Sequence, residues 1–274
     1  MDAALYWKAA VAGLVEGATE FLPVSSTGHL ILVGDLLDFE GPTAKTFEIF
    51  IQLGAILAVV WFYRRFLLEV ALHWMKSPTE RRFLWNLVIA FLPAAVVGLL
   101  VHDWLKAHLF NPLSVAVALV VGGVAILAIE RWHPRARIET VAEMPPRTAF
   151  EIGLAQVLSL WPGTSRSGAT IMGAMCFGVS RVAATEFSFF LAIPTMFAAT
   201  LYDLYKSRGV LAAGDAPVFA IGFVVSFVSA LIVVKGLLRY VSSHDFRAFG
   251  WYRIVLGLIV LGYFWLTSGL TTGI

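Results

Sequence analysis

The residues best equipped for chemistry lie in two short polar stretches, each set between apolar runs. The first is EGATEFLPVSSTGH, residues 16–29. Glu16 and Glu20 are four apart, which puts both carboxylates on one face of a helix. An unpaired carboxylate at the centre of a membrane-crossing helix costs about 2.5–3.5 kcal/mol. Two together therefore demand a cavity, a cation or a basic partner, unless they sit in water at the outer interface. Ser25, Ser26 and Thr27 follow, then Gly28, whose missing side chain lets backbone approach a ligand, and His29. A hydroxyl becomes a nucleophile when a base takes its proton, and His29 is within reach of Ser26 if a helix begins there. Ser26 or Thr27 could equally cap that helix, whose N-terminal amides would themselves bind phosphate.

The second stretch, PGTSRSGAT at residues 162–170, has the same turn character but carries Arg166 where the first has Ser26. A guanidinium is a planar fork of donors with a permanent charge, suited to clamping phosphate oxygens. The alternative, that Arg166 snorkels to an interface, sits poorly with its apolar flanks. Gly163, Ser165, Ser167, Gly168 and Thr170 supply turns and donors beside it, as Ser25, Thr27 and Gly28 do in the first stretch. One stretch thus offers carboxylates, a nucleophile and a base, and the other an anion clamp. Together they form an inventory for phosphoryl transfer. Glu16 and Glu20 are also the hard oxygen ligands that a divalent cation prefers. Glu48, His102 and Glu186 are the other ionisable groups near apolar runs and are read as structural.

The elements that must hold these stretches are membrane helices. The chain has 274 residues, 59% of them hydrophobic and 14% charged, with a mean hydropathy of +0.82. An ordinary soluble domain carries about a quarter charged residues, so too few remain here to coat a water-facing surface. The net charge of +2 is dispersed rather than gathered in a basic block, which argues against nucleic acid as a partner. The lone cysteine, Cys176, excludes a disulfide framework within one chain and reads as a packed thiol. Glu16 and Glu20 interrupt the N-terminal apolar run, so it does not read as a removed signal peptide.

A crossing helix needs about 20 mostly apolar residues. Six runs qualify, at 47–63, 84–101, 113–129, 187–202, 216–234 and 254–268. The regions 9–34 and 150–179 are apolar at both ends and broken in the middle, and they read as re-entrant helical hairpins. Backbone leaves the helix at membrane depth only where protein or a watery cavity satisfies it. Arginines and lysines cluster in the connections after the first, third and fifth runs, at Arg64, Arg65, Lys76, Arg81 and Arg82, at Arg131, Arg135, Arg137 and Arg147, and at Lys235, Arg239 and Arg247. The opposite connections hold only Lys45, Lys106, Lys206 and Arg208. This bias marks the cytoplasmic side and predicts both termini outside, with the first hairpin opening outward and the second inward.

Shifting the chain by 140 positions sets Ser25 over Ser165, Thr27 over Ser167 and Gly28 over Gly168, and with no gap Phe47 over Phe187 and Ala58 over Ala198. One membrane domain, 1–274, is therefore expected to contain two halves of about 1–135 and 136–274. Each half holds three runs, an odd number, so the second copy must lie inverted. The expected fold is an all-α integral membrane protein of six transmembrane helices and two re-entrant hairpins in an inverted-topology repeat.

EGATEFLPVSSTGH and PGTSRSGAT, with Lys45-Thr46-Phe47-Glu48 and Glu186-Phe187-Ser188-Phe189, resemble the bacterial undecaprenyl-diphosphate phosphatases linked to bacitracin resistance, over essentially the whole chain. The resemblance implies hydrolysis of the lipid diphosphate to the monophosphate, which recycles the carrier for cell-wall polymers. It implies a requirement for Mg²⁺ or Ca²⁺ and a site facing the periplasm from the inner membrane. By position, Ser26 resembles the family's nucleophile and His29 its acid/base partner. Glu16 and Glu20 match glutamates assigned to metal binding or activation, Arg166 the diphosphate-binding arginine, and Ser165 and Thr170 hydroxyls near the phosphates. In other membrane lipid phosphatases the Ser-Arg motif is followed by a nucleophilic histidine, which is lacking here. An inverted-repeat transporter or flippase for a lipid phosphate is the competing class, and a membrane scaffold a third. Oligomeric state, a homodimer included, is left open.

Overall fold

The computed structural model describes residues 3–39, 42–132, 135–207 and 215–271. Its helices are α1 (Ala3–Thr19), α2 (Ser26–Leu36), α3 (Pro42–Phe62), α4 (Arg64–His73), α5 (Pro78–His108), α6 (Pro112–Trp132), α7 (Pro146–Val157), α8 (Arg166–Cys176), α9 (Arg181–Ser207), α10 (Ala216–Val241) and α11 (Arg247–Thr271). Among the described residues, extended pairing is confined to one isolated bridge between Ile138 and Val179.

Five helices contain stretches long and apolar enough to cross a bilayer, namely Pro78–Val101, Pro112–Trp132, Arg181–Asp203, Ala216–Val241 and Arg247–Leu266. Thr46–Phe62 and Arg64–His73, bent by 71° from each other, meet the same test only as a pair, which makes five crossings, or six if that pair is one span. The chain is a multi-pass integral membrane protein; five of the six expected runs fall on qualifying helices, and the run 47–63 falls on the bent pair. Their outward faces carry large apolar side chains such as Leu100, Val121 and Ile232, which only a lipid surround accommodates at low cost. Trp61, Trp85, Trp132 and Trp251 are exposed next to the arginine-bearing ends of their helices, the position of an interfacial aromatic belt. The connection carrying Arg64 and Arg65 is not a simple loop: it forms α4, a short helix turned aside from α3. The expectations for Lys45, Lys106, Lys206 and His102 concern side chains outside the described residues, and Arg208 lies outside them altogether.

Close approach of small residues sets the packing. α1 lies on α10, α10 on α3, α6 on α11, α7 on α5, and α3 on α9. A methyl group at Gly13 would stand 2.4 Å from the Gly222 carbonyl oxygen, and one at Gly153 would stand 2.6 Å from that of Ala90. Between helices already bathed in lipid, such contact rather than water exclusion drives association. Against this scaffold the regions 9–34 and 150–179 are each broken in the middle. α1 ends at Thr19 and α2 begins at Ser26; α7 ends at Val157, passes through a 3₁₀ turn at Leu158–Leu160, and α8 begins at Arg166.

Candidate active site

Each break is closed by a serine in an unusual conformation. Ser25 has φ 72° and Ser165 φ 71°, the only left-handed non-glycine positions among the described residues apart from Asp38. Such a conformation costs about 1–3 kcal/mol and persists only where its surroundings enforce it. Each serine is an N-cap, its hydroxyl accepting from Gly28 N–H at 3.4 Å in the first break and from Gly168 N–H at 3.1 Å in the second. The reversal puts the next residue at the head of a helix. In one break that residue is Ser26, in the other Arg166.

These two residues meet through Glu20. The Ser26 hydroxyl donates to Glu20 Oε2 at 2.6 Å, and the Arg166 guanidinium donates to Glu20 Oε1 at 3.2 Å. Ser26 is only 8% exposed, and the side chains of Glu20 and Arg166 are 10% exposed each. Arg166 also donates to the Ser188 carbonyl at 2.9 Å and hydroxyl at 3.3 Å, and lies over the Phe21 ring. Its Nε is buried without a hydrogen-bond partner. Thr170 pairs with the Ser188 hydroxyl at 2.7 Å, so it buttresses the residue that carries Arg166. Ser165 and Ser167 pair at 3.0 Å, and Ser167 donates across to the Leu22 carbonyl at 2.8 Å, tying the second break to the first. Thr27 is half-buried in the first turn of α2.

Glu16 lies one turn before Glu20, fully buried, with neither carboxyl oxygen hydrogen-bonded. The charges of Glu20, Glu48 and Arg166 act on it. A buried carboxyl so arranged is costly unless something further satisfies it. Glu16 and Glu20 are oxygen donors fit for a hard cation. Among the described residues, no group of three His, Cys, Asp or Glu side chains could hold an ion, so further ligands would have to be water or substrate oxygens.

His29 is placed differently from the expectation that it faces the Ser26 hydroxyl. Its Nδ1 bonds the Ser25 carbonyl at 2.7 Å and its Nε2 the Tyr252 hydroxyl at 2.6 Å, while Ser26 turns to Glu20. The reason is geometric: helical side chains lean back toward the N-terminus, which brings the His29 ring over the carbonyl four residues earlier. Of the other ionisable groups, Glu186 accepts from Tyr63 at 3.3 Å.

Sequence reasoning missed Arg253 altogether. Only 1% exposed, it donates to Pro23 at 3.2 Å and Thr164 at 2.8 Å through one terminal nitrogen, and to Gly163 at 3.0 Å and Ala118 at 3.1 Å through the other, with Nε to Leu119 at 3.3 Å. It thus collects carbonyls from both breaks and from α6 between them. Gly163, at φ 93°, is where a side chain would strike the Val115 carbonyl, with a Cβ only 2.5 Å away.

The chain also resembles known proteins along most of its length. Residues 9–259 match the family model described as bacitracin resistance protein BacA. A protein of Methylobacillus flagellatus named undecaprenyl-diphosphatase is 54% identical over 97% of this chain and 100% of its own length. One of the same name from Nitrosospira multiformis is 59% identical over 95% of this chain and 96% of its own, and one from Aromatoleum aromaticum is 58% identical over 95% of each.

Proposed function

This chain belongs to the bacitracin resistance protein family, and we propose that the Ser26–Glu20–Arg166 chain is the centre at which it acts. The protein is an undecaprenyl-diphosphatase, converting undecaprenyl diphosphate to the monophosphate and phosphate. The observation that carries the mechanism is the position of Glu20, bonded on one oxygen to the hydroxyl of Ser26 and on the other to Arg166.

A diphosphate that takes the Arg166 N–H groups releases Glu20 from them, leaving that carboxylate free to accept the Ser26 proton. The Ser26 oxygen then forms a bond to the terminal phosphorus as the bridging P–O bond breaks, and undecaprenyl phosphate departs. Water next hydrolyses the phosphoseryl ester, giving phosphate and restoring the hydroxyl. The helix N-termini at Ser26 and Arg166 add the positive ends of their helix dipoles to the anion's surroundings. Glu16, with the Glu20 oxygen that does not face Ser26, would hold Mg²⁺ or Ca²⁺, which when bound neutralises charge on the diphosphate oxygens.

The two breaks are read as re-entrant hairpins of an inverted repeat with halves of about 1–135 and 136–274. Support comes from α2 and α8, which coincide end to end under the 140-residue shift, and from the matching dihedrals of Ser25 and Ser165. In addition, α1 packs on α10 as α7 packs on α5, an exchange between corresponding helices. A first break that opens to the periplasmic face of the inner membrane is part of this reading, supported by the bias of arginines toward the opposite helix ends.

Phosphate release from the lipid diphosphate by purified Ser26→Ala protein in detergent tests the centre. Release is expected to cease while lipid binding survives, and retained turnover rejects Ser26 as nucleophile. Trapping a phosphoseryl enzyme separates this route from direct attack by water.

A further inference from the structure

Ser25 and Ser165 share a backbone conformation but are secured by different means. Ser165 receives the Ala169 N–H on its carbonyl at 3.0 Å. The Ser25 carbonyl instead takes the ring Nδ1–H of His29 at 2.7 Å, while its hydroxyl is held at the longer distance of 3.4 Å. A carbonyl only accepts, so Nδ1 carries the proton. Nε2 of the neutral ring is then an acceptor, and the Tyr252 hydroxyl, 2.6 Å away, donates to it. The two rings stack, with centroids 5.6 Å apart and planes 7° from parallel.

We propose that Tyr252 is a positioning residue acting through His29: by holding the Nδ1–H tautomer it secures the Ser25 carbonyl, and with it the turn that aims Ser26 at Glu20. Both ring nitrogens of His29 are engaged in this arrangement, so the histidine serves as a strut between α11 and the first break. Tyr252 sits immediately before Arg253, so one turn of α11 grips the break twice, by a ring and by a guanidinium. The inference rests on the Ser26–Glu20 reading of the site.

Tyr252→Phe removes one hydroxyl from a half-exposed side chain and keeps the ring, so folding is not at stake. Loss of one hydrogen bond in the arrangement predicts a fall in kcat of roughly fivefold with KM unchanged. In ¹⁵N-histidine spectra, His29 is expected as a single Nδ1–H tautomer in the unmodified protein and as a mixture in the variant. In a His29→Ala background, Tyr252→Phe is expected to cost nothing further. An unchanged kcat, an unchanged tautomer, or the same loss in both backgrounds overturns the proposal. Ser26→Ala run alongside distinguishes failures: if it keeps turnover, the reading of the site falls, and if only Tyr252→Phe is silent, the strut alone falls.

Discussion

Ser25 and Ser165, one in each half of the sequence, adopt the same left-handed backbone and each caps the helix that presents its neighbour to the site. Two opposing effects meet at each position, the strain of the conformation and the cap that offsets it. Ser165→Gly relieves the strain and loses the cap, whereas Ser165→Ala loses the cap and keeps the strain. The alanine variant should therefore be the less stable, by about 1 kcal/mol. Thermal unfolding of the two variants in detergent checks the order.

Glu20 is the shared acceptor of Ser26 and Arg166. Glu20→Gln keeps the shape but replaces the proton acceptor with a neutral amide. Loss of general-base assistance is worth about 10²–10⁴-fold, and kcat should fall within that range. Single-turnover phosphate release in saturating lipid measures it directly.

Glu16 predicts opposite effects on stability and activity. Fully buried beside Glu20 and Glu48, Glu16 is a burden on the folded protein whenever it is ionised. Glu16→Gln should raise the unfolding temperature in chelator-treated protein and weaken the divalent-ion dependence of activity. Chelation of the unmodified enzyme should abolish turnover, and titration with Mg²⁺ should restore it. An unfolding temperature that stays the same or falls contradicts the assignment.

Arg253 satisfies five carbonyls from three parts of the chain. Ala118 and Leu119 keep their helical donors, but Arg253→Met takes this donor from the carbonyls of Pro23, Gly163 and Thr164 in the breaks, at about 1–3 kcal/mol for each group not rescued by water. Arg253→Lys keeps the charge but not the fork. Both variants should unfold at lower temperature, methionine more than lysine, with kcat falling alongside.

Gly17 lies where α1 crosses α10. A methyl group there would stand 2.1 Å from the Ser229 hydroxyl and 2.2 Å from the Ser226 carbonyl. Gly17→Ala must push the helices apart and should cost about 1–3 kcal/mol. Because Glu16 is the adjacent residue, activity should drop further than stability explains, as a comparison of phosphate release with unfolding temperature will show.

The membrane helices were legible because the bilayer imposes length and apolarity, and residues 84–101 or 216–234 satisfy both without ambiguity. The polar breaks were legible for the converse reason: serines, glycines and a lone arginine between apolar runs have few other uses. Arg253 was not, because it precedes the apolar run 254–268, where a charge ordinarily reads as interfacial. Only the fold shows that α11 begins earlier, at Arg247, and carries the side chain inward. The direction of the His29 ring was hidden too, since its partner Tyr252 lies 223 residues away. The bend at Tyr63 escaped because nothing local in the sequence, neither proline nor glycine, announces it.

Arg253 seats both loops before any lipid arrives. On the proposed mechanism, the entropy of bringing Ser26 and Arg166 together is thereby met once, during biogenesis, rather than at every turnover. Catalytic speed and correct assembly are consequently tied to one side chain, and a change that loosens it cannot be compensated by tighter substrate binding.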